Sequence, residues 1–497
     1  MPRVLAAVAL AALAAACGGS AGHNDADATS PEAPDADSDA SPDQSSDDRG
    51  ARDQAPDDAA SDSADDEADG DDADAQDDSP PSLDIAEVGL DALLGDTPPE
   101  PPPAWCPAGS PAAPCRPAET RPTGWVDGTA IAERFVDDGF ILLQDVTYHG
   151  LSDLVSMLLW THVPLAGREE TAMVRENSAD AQADWNGDGL GVVVPTSDDH
   201  HAVGAFVLAD ASGTLLDDNP WDNDGCWLVW LGRGYLCLRF PSDDPSLLAF
   251  MGLDPAGRFV GLRTTDLGGI ALTGTTSLPE LGFVYLPRGE ELPWFRVSDA
   301  LGGALGTPVA LPDVPPPGPM ACLVPALAAT PTGWAVAYLS PVGPVTRDTT
   351  DGPANLLRAE LRVRFLDPAG VPTGEPIILD VLETYPEESP TCRTPLGAAA
   401  SGDDVLVAWR HLQLLEDTTT DPPRIQLAAS FRARAATPDG RLGEVVEWGL
   451  VERARDLGRP TIRVHRAGPA VLLLAPDAYP PGGDGPSESL TWAGCCE

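Results

Sequence analysis

The sequence predicts an all-β fold assembled from repeated four-stranded units, and three observations support this. From Trp105 onward, short runs rich in β-branched and aromatic residues alternate with Gly, Pro, Asn and Asp. Long amphipathic helical patterns are hard to find in the same stretch. Turns of Asp-x-x-Gly type recur along it, and the turns at Asp367–Gly370 and Thr437–Gly440 stand 70 positions apart.

The clearest internal repeat has the same spacing of 70 positions. It aligns Cys322–Pro325 with Cys392–Pro395. Eight residues beyond each proline comes Gly333 or Asp403, followed by an apolar strand, and a third copy begins at Pro460. The unit therefore predicts a four-stranded meander that exposes both sheet faces and must stack on its neighbours.

Weaker copies lie upstream, with similar turns at 210–213, 254–257 and 299–302. They bring the total to six or seven units, which resemble the blades of a β-propeller. The resemblance is one of pattern, because no WD, kelch or YWTD signature accompanies it. Two consecutive β-sandwiches are the alternative architecture. The internal match favours a β-propeller-like domain over 104–497.

Residues 1–17 have the pattern of an export signal. Arg3 precedes an apolar run from Val4 to Ala16 that is too short to span a bilayer. The run ends at Ala14-Ala15-Ala16-Cys17, which resembles the lipobox of bacterial lipoproteins, although that motif favours leucine where this chain has Ala14. The resemblance implies a lipid on Cys17, anchorage in a membrane and, because Gly18 is not aspartate, sorting to the outer membrane. A plain secretory signal is the alternative.

Residues 18–103 are predicted to form a disordered acidic linker. Asp, Ala, Ser and Pro dominate it until Leu83, so it cannot bury enough apolar surface to offset chain entropy. A short apolar patch near its end predicts either nonspecific local apolar contacts, which we favour, or docking on a partner or on the protein's own domain. Its members are Leu83, Ile85, Val88, Leu90, Leu93 and Leu94. Together with the lipobox and the repeats, this organisation resembles lipoproteins of GC-rich Gram-negative bacteria such as myxobacteria.

Composition excludes several functional classes. The net charge of −50 argues against nucleic acid as a partner. The chain contains no lysine, which removes Schiff-base and P-loop chemistry. No G-x-S-x-G, H-E-x-x-H or G-x-G-x-x-G signature places a nucleophile, a zinc ion or a phosphate.

Eight cysteines remain if Cys17 carries lipid, and an even number in an exported protein predicts disulfides. A bond between Cys106 and Cys115 would close a short Pro-rich loop, and Cys226 and Cys237 flank a possible hairpin. The eight candidates are Cys106, Cys115, Cys226, Cys237, Cys322, Cys392, Cys495 and Cys496.

The sharpest local motif is a candidate calcium loop with oxygen ligands at alternate positions, Asp184, Asn186 and Asp188. It resembles the start of an EF-hand loop but has Pro195 where that loop requires glutamate. The alternative is an Asx-rich turn before a strand. A second acidic loop, Asp217–Asp224, is a weaker candidate.

The histidines and tryptophans carry less specific signals. His200 and His201 are adjacent, but neighbours in a strand point to opposite faces, so a polar loop is favoured over a metal site. His149, His162, His411 and His465 stand alone in the sequence. The tryptophans, among them Trp221, Trp227, Trp230, Trp294, Trp334 and Trp409, are expected to pack between blades more often than to stack on sugars.

Two functions from different classes follow. The favoured one is a non-catalytic binding or scaffold domain, displayed outside the cytoplasm, for a protein or glycan ligand. The alternative is a hydrolase or lyase acting on extracellular polysaccharide with carboxylates at the propeller channel.

Overall fold

The computed structural model describes the repeat domain and short stretches before it. The described residues are 90–96, 100–106, 124–149, 154–166, 168–178, 181–196, 204–221, 225–239, 246–277, 279–315, 325–349, 352–384, 396–417, 424–451, 462–478 and 488–496. Within them, no helix is long and apolar enough to cross a membrane.

The fold is a β-propeller of seven four-stranded antiparallel blades. The predicted propeller is therefore confirmed at seven blades, and the sandwich alternative is wrong. The first four blades are consecutive along the chain. Their strands are β2 (Thr129–Val136), β3 (Gly139–His149), β4 (Leu154–Pro164) and β5 (Glu170–Glu176); β6 (Gln182–Trp185), β7 (Gly189–Val194), β8 (Ala205–Asp210) and β9 (Leu215–Pro220); β10 (Trp227–Trp230), β11 (Tyr235–Arg239), β12 (Leu247–Leu253) and β13 (Phe259–Asp266); β14 (Gly269–Ser277), β15 (Glu280–Pro287), β16 (Trp294–Asp299) and β17 (Val309–Ala310).

Blades 5 and 6 follow the same order with longer strands, and blade 7 is completed from the other end of the chain. Their strands are β18 (Ala326–Thr330), β19 (Gly333–Thr349), β20 (Gly352–Leu366) and β21 (Pro372–Thr384); β22 (Leu396–Ser401), β23 (Asp404–Asp417), β24 (Arg424–Ala436) and β25 (Val446–Val451); β26 (Arg463–Ala467), β27 (Ala470–Ala478), β28 (Glu488–Cys495) and β1 (Gly124–Asp127).

The ring closes through β1, which pairs with β28 from Gly124↔Thr491 to Asp127↔Glu488. Because β1 continues through Gly128 into β2, one segment forms the outermost strand of blade 7 and leads into the innermost strand of blade 1. The first strands of neighbouring blades contact one another around the axis, including β26 with β2 and β2 with β6.

Each blade has turns at two opposite faces of the ring. We call the end that carries the turns between first and second strands, and between third and fourth strands, the turn face. The opposite end, where second and third strands are joined, is the hairpin face.

The Asp-x-x-Gly sequences form the turns between third and fourth strands. In the turn at 254–257, Asp254 Oδ1 accepts hydrogen bonds from the backbone N–H groups of Ala256 and Arg258, both at 2.9 Å. Gly257 adopts φ +77° and lies against the Phe206 ring of the preceding blade, where a Cβ atom would collide. The repeated glycine thus serves both the turn and the packing between blades.

The core lies between blades. Trp334, Trp409 and Trp492 are fully buried, which agrees with the packing role expected for tryptophans. The interface of blades 5 and 6 contains Ala328, Leu361, Val407 and other apolar residues within one continuous cluster. The interior is therefore a ring of sheet-to-sheet contacts.

Candidate functional site

The described residues upstream of β1, 90–96 and 100–106, contact the propeller at its turn face, and we call them the strap. Its first part is a short 3-10 helix, Leu90–Leu93, which buries Leu90 and Leu93 against blade 3. The backbone N–H of Gly95 then donates to the Leu231 carbonyl at 2.7 Å. Of the two predictions for the apolar patch, docking on the protein's own domain is the one observed for these leucines.

The other end of the strap is fixed near the junction of blades 1 and 7. Trp105 Nε1 donates to the Val136 carbonyl at 3.1 Å, and its ring packs edge-on against Phe135 with 5.7 Å between centroids. Cys106 forms a disulfide with Cys495, with 5.6 Å between Cα atoms. The proposed Cys106–Cys115 bond is therefore wrong, because the strap brings Cys106 to the end of β28 instead.

Glu100, between these two attachments, contacts two blades at once. Its Oε1 accepts a hydrogen bond of 2.7 Å from the backbone N–H of Phe135 in β2. Its Oε2 lies 2.7 Å from Nε2 of His465 in β26. The His465 side chain is only 4% exposed. A carboxylate from the strap is thus bound by donors on the first strands of blades 1 and 7.

A second buried ion pair lies directly behind this contact. Arg463 Nη2 lies 2.9 Å from Glu133 Oε2 in an ion pair, and Glu133 Oε1 is 3.9 Å from His465 Nδ1. Burial by itself lowers the pKa of His465, but the charge and hydrogen bond of Glu100, assisted by Glu133, outweigh it and raise that pKa above its ordinary value. Sequence reasoning missed this cluster because its members come from distant parts of the chain.

Asp184 extends the charged region to blade 2. Burial is the main cause that raises the pKa of Asp184 to about 6, and the nearby charge of Glu133 raises it further. Hydrogen bonds from the backbone N–H groups of Trp230 and Trp185 act in the opposite direction and lower this pKa. The bond from Trp230 is 2.6 Å long and links blades 2 and 3. Asp184 therefore has the pKa of a group able to exchange a proton near neutral pH.

The candidate calcium loop forms the turn between β6 and β7. Asn186 Oδ1 accepts hydrogen bonds from the backbone N–H groups of Asp188 and Gly189, at 3.1 and 2.7 Å. Asp188 is exposed. Among the described residues, no group of three His, Cys, Asp or Glu side chains is placed to hold a metal. The geometry is that of the Asx-rich turn, and calcium stays a prediction for experiment.

The remaining predictions have mixed outcomes. Cys226 and Cys237 are bonded as expected, with 5.4 Å between Cα atoms, and Cys496 is also disulfide-bonded. Asp217 and Asp218 lie on the exposed outer strand β9, where Asp218 pairs with Arg175 at 3.0 Å. Several named residues lie outside the described part of the chain: Cys17, Cys115, His200, His201, Asp222, Asp224, Cys322 and Cys392.

Comparisons with known proteins show likeness in fold. No family model matches the chain, and no curated protein matches it significantly. Among solved structures, it is similar to the Dos1 propeller at 9% identity, covering 76% of this chain and 95% of that one with a TM-score of 0.35. It is also similar to the polysaccharide lyase Uly1 at 10% identity, with 73% and 90% coverage and a TM-score of 0.35. A third similar structure is an oligogalacturonate lyase in complex with manganese, at 10% identity, 77% and 98% coverage and a TM-score of 0.32.

Proposed function

We propose that this protein is an outer-membrane lipoprotein whose propeller acts as a non-catalytic binding or scaffold domain for a protein or glycan. In this proposal Cys17 carries the lipid, and the acidic chain that follows is a tether. A tether of about 70 residues reaches at most roughly 240 Å when fully extended. Self-repulsion between its carboxylates favours extended conformations.

The observation that carries the proposal is the position of the strap. Leu90, Leu93, Glu100 and Cys106 all attach to the turn face or to its edge. In this proposal the tether leads into the strap, whose described residues lie on the turn face. A ligand that binds the hairpin face meets no obstruction from this attachment, so we assign the binding surface to the hairpin face.

Blades 5 and 6 supply the prominent part of that surface. Their second and third strands are 13 to 17 residues long, against 6 in blade 2. Arg432 of blade 6 lies between Asp380 of blade 5, at 3.6 Å, and Glu447 of its own blade, at 3.0 Å. This ionic contact holds the two long blades together, and Val342 of β19 is 58% exposed on the extension.

Site-specific photo-crosslinking tests this assignment. A photoreactive residue is placed at Val342, on the extension, or at Val371, which is 48% exposed in the turn-face turn of the same blade. We expect cell-envelope protein or glycan to crosslink at Val342 and not at Val371. Equal crosslinking at both positions would remove the assignment to the hairpin face.

Anchorage is tested separately by Cys17→Ser followed by cell fractionation. The variant is expected to move from the outer-membrane fraction to a soluble fraction. A membrane-bound fraction that does not change would contradict lipidation while leaving the binding proposal open to the crosslinking experiment.

A second candidate, a polysaccharide hydrolase or lyase, is favoured by one observation. The pKa of Asp184, raised to about 6, suits a group that gives or takes a proton near neutral pH. This function predicts release of new chain ends from an extracellular polymer by the wild type, and loss of that release in Asp184→Asn. Ligand binding without turnover would favour the scaffold.

A further inference from the structure

Glu100 is held in the way that a protein holds a bound carboxylate ligand. One oxygen accepts a hydrogen bond from the backbone N–H of Phe135, and the other lies beside His465 Nε2, both at 2.7 Å. Both donors belong to the propeller, whereas Glu100 belongs to the strap. Because the donors come from different blades, the site forms only when the ring is closed.

The charges around this site favour an anion. His465 faces Glu100 from the strap and Glu133 from β2, and Arg463 of its own strand pairs with Glu133. Asp184 of β6 lies close enough to feel the charges of Glu133 and Arg463, and its raised pKa keeps part of it neutral near pH 6. With His465 and Asp184 both protonated, Arg463 balances Glu133, and one positive charge is left for the carboxylate of Glu100.

The strap keeps Glu100 at this site at high local concentration. It is attached on one side through Leu90 and Leu93 and on the other through Cys106. A short tether of this kind gives an effective concentration on the order of millimolar or more. A free carboxylate therefore competes poorly while Glu100 is present.

We propose that the junction of blades 1 and 7 is a carboxylate-binding site which Glu100 occupies as an internal ligand, and that a carboxylate of another molecule binds there when Glu100 is withdrawn. The site lies apart from the hairpin face and does not depend on the proposed function. The strap then acts as a built-in competitor of an acidic ligand, such as a uronic acid or a peptide C-terminus.

Chemical rescue of Glu100→Ala in the full-length protein tests this site. Thermal unfolding is followed at pH 6 in sodium acetate and in sodium chloride of equal concentration. The variant is expected to melt below the wild type, and acetate is expected to raise its melting temperature along a saturating curve. Chloride should have no such effect, and the wild type should not distinguish the two salts.

Two matched variants make the result specific. Glu375→Ala removes a glutamate whose side chain is 98% exposed and should show no acetate response. Glu100→Ala with His465→Asn should lose the rescue, because the remaining side-chain donor is changed. An acetate effect that equals the chloride effect in Glu100→Ala, or that persists in the double variant, would overturn the proposal.

A second measurement covers the case in which the double variant fails to fold. The ring nitrogens of His465 are followed by NMR in folded Glu100→Ala during titration with acetate, glucuronate or N-acetyl-dialanine. Saturating shifts with glucuronate support a sugar acid as ligand, and shifts with the dipeptide support a C-terminus. The absence of shifts with all three probes would overturn the proposal.

Discussion

The junction between blades 5 and 6 and the junction between blades 7 and 1 each contain a buried apolar cluster, but the second adds buried charged groups to it. The first is apolar throughout its inner part, with Leu361, Val407 and Trp409 in one cluster. The second contains Glu133 and His465, each with a side chain only 4% exposed. It also carries a disulfide, Cys106–Cys495, near its edge.

The difference follows from how the ring closes. Blades 5 and 6 are successive in sequence, and burial of apolar surface stacks them together with the ionic contact of Arg432 with Asp380. Blade 7 depends on β1, which contributes only four paired residues to β28. Apolar residues of blades 1 and 7, among them Phe140 and Leu472, pack in one buried cluster at this junction. The ion pairs, the strap and the disulfide add further contacts there.

The largest loss of stability is expected for a substitution in the apolar cluster between blades 5 and 6. Trp409→Ala removes a side chain with 0% exposure, and such a change costs about 3–5 kcal/mol through lost burial and a residual cavity. Urea unfolding followed by tryptophan fluorescence and circular dichroism measures the cost. Phe259→Ala, at a side chain 45% exposed, is the control and should cost less than about 1 kcal/mol. Equal costs would contradict the apolar junction as the main source of stability.

Removal of a disulfide is expected to cause the next largest loss of stability. The two disulfides distinguish a bond that helps to close the ring from a bond within one blade. Cys106 and Cys495 are 389 positions apart, whereas Cys226 and Cys237 are 11 apart within one blade. Because a longer loop constrains the unfolded chain more, Cys106→Ser with Cys495→Ser should lower the free energy of unfolding by about 2–4 kcal/mol. Cys226→Ser with Cys237→Ser should cost less. The reverse order in urea titrations would show that closure does not depend on the covalent link.

A pH titration tests the charged region that includes Asp184, Glu133 and Arg463. The pKa of Asp184 is raised from 3.8 to about 6 in the folded state, so folding favours its protonated form. Its contribution to stability is therefore greatest below about pH 3.8 and falls as the pH rises to about 6. Asp184→Asn cannot ionise and lacks this loss. We expect the wild type to lose about 2–3 kcal/mol relative to the variant between pH 4 and pH 7. Parallel pH profiles of the two proteins would contradict the assignment.

These differences explain what the sequence could predict. The repeat spacing and the turns at 254–257 and 367–370 are local patterns, and they predicted four-stranded units because blades 1 to 6 each form from contiguous chain. Burial of Trp334 and Trp409 followed from their place in apolar strands. The strap could be anticipated only as an apolar patch, since nothing local specifies which surface receives Leu90 and Leu93.

The charged site was beyond local reasoning. Glu100 and His465 are 365 positions apart, and each looks like an isolated residue in its own segment. Their contact depends on closure of the ring, which brings the first and last blades together. The same closure redirects Cys106 to Cys495, although Cys115 is the nearest cysteine in sequence.

The smallest expected effect concerns calcium at the turn of Asp184, Asn186 and Asp188. The Asp184 oxygens accept hydrogen bonds from Trp185 and Trp230, and Asn186 Oδ1 already serves two N–H groups. A cation would displace these bonds and would meet Arg134, which donates to the Gly187 carbonyl at 3.0 Å.

Binding of calcium to the folded state alone would add about 2.7 kcal/mol at a hundredfold excess over Kd. The hydrogen bonds and the arginine oppose that gain, so we expect the melting temperature to be the same in millimolar calcium and in chelator. Asp188→Ala should melt like the wild type in both conditions. A calcium-dependent rise that disappears in Asp188→Ala would show instead that the turn rearranges around an ion, and that the contacts at this end of blade 2 exchange with it.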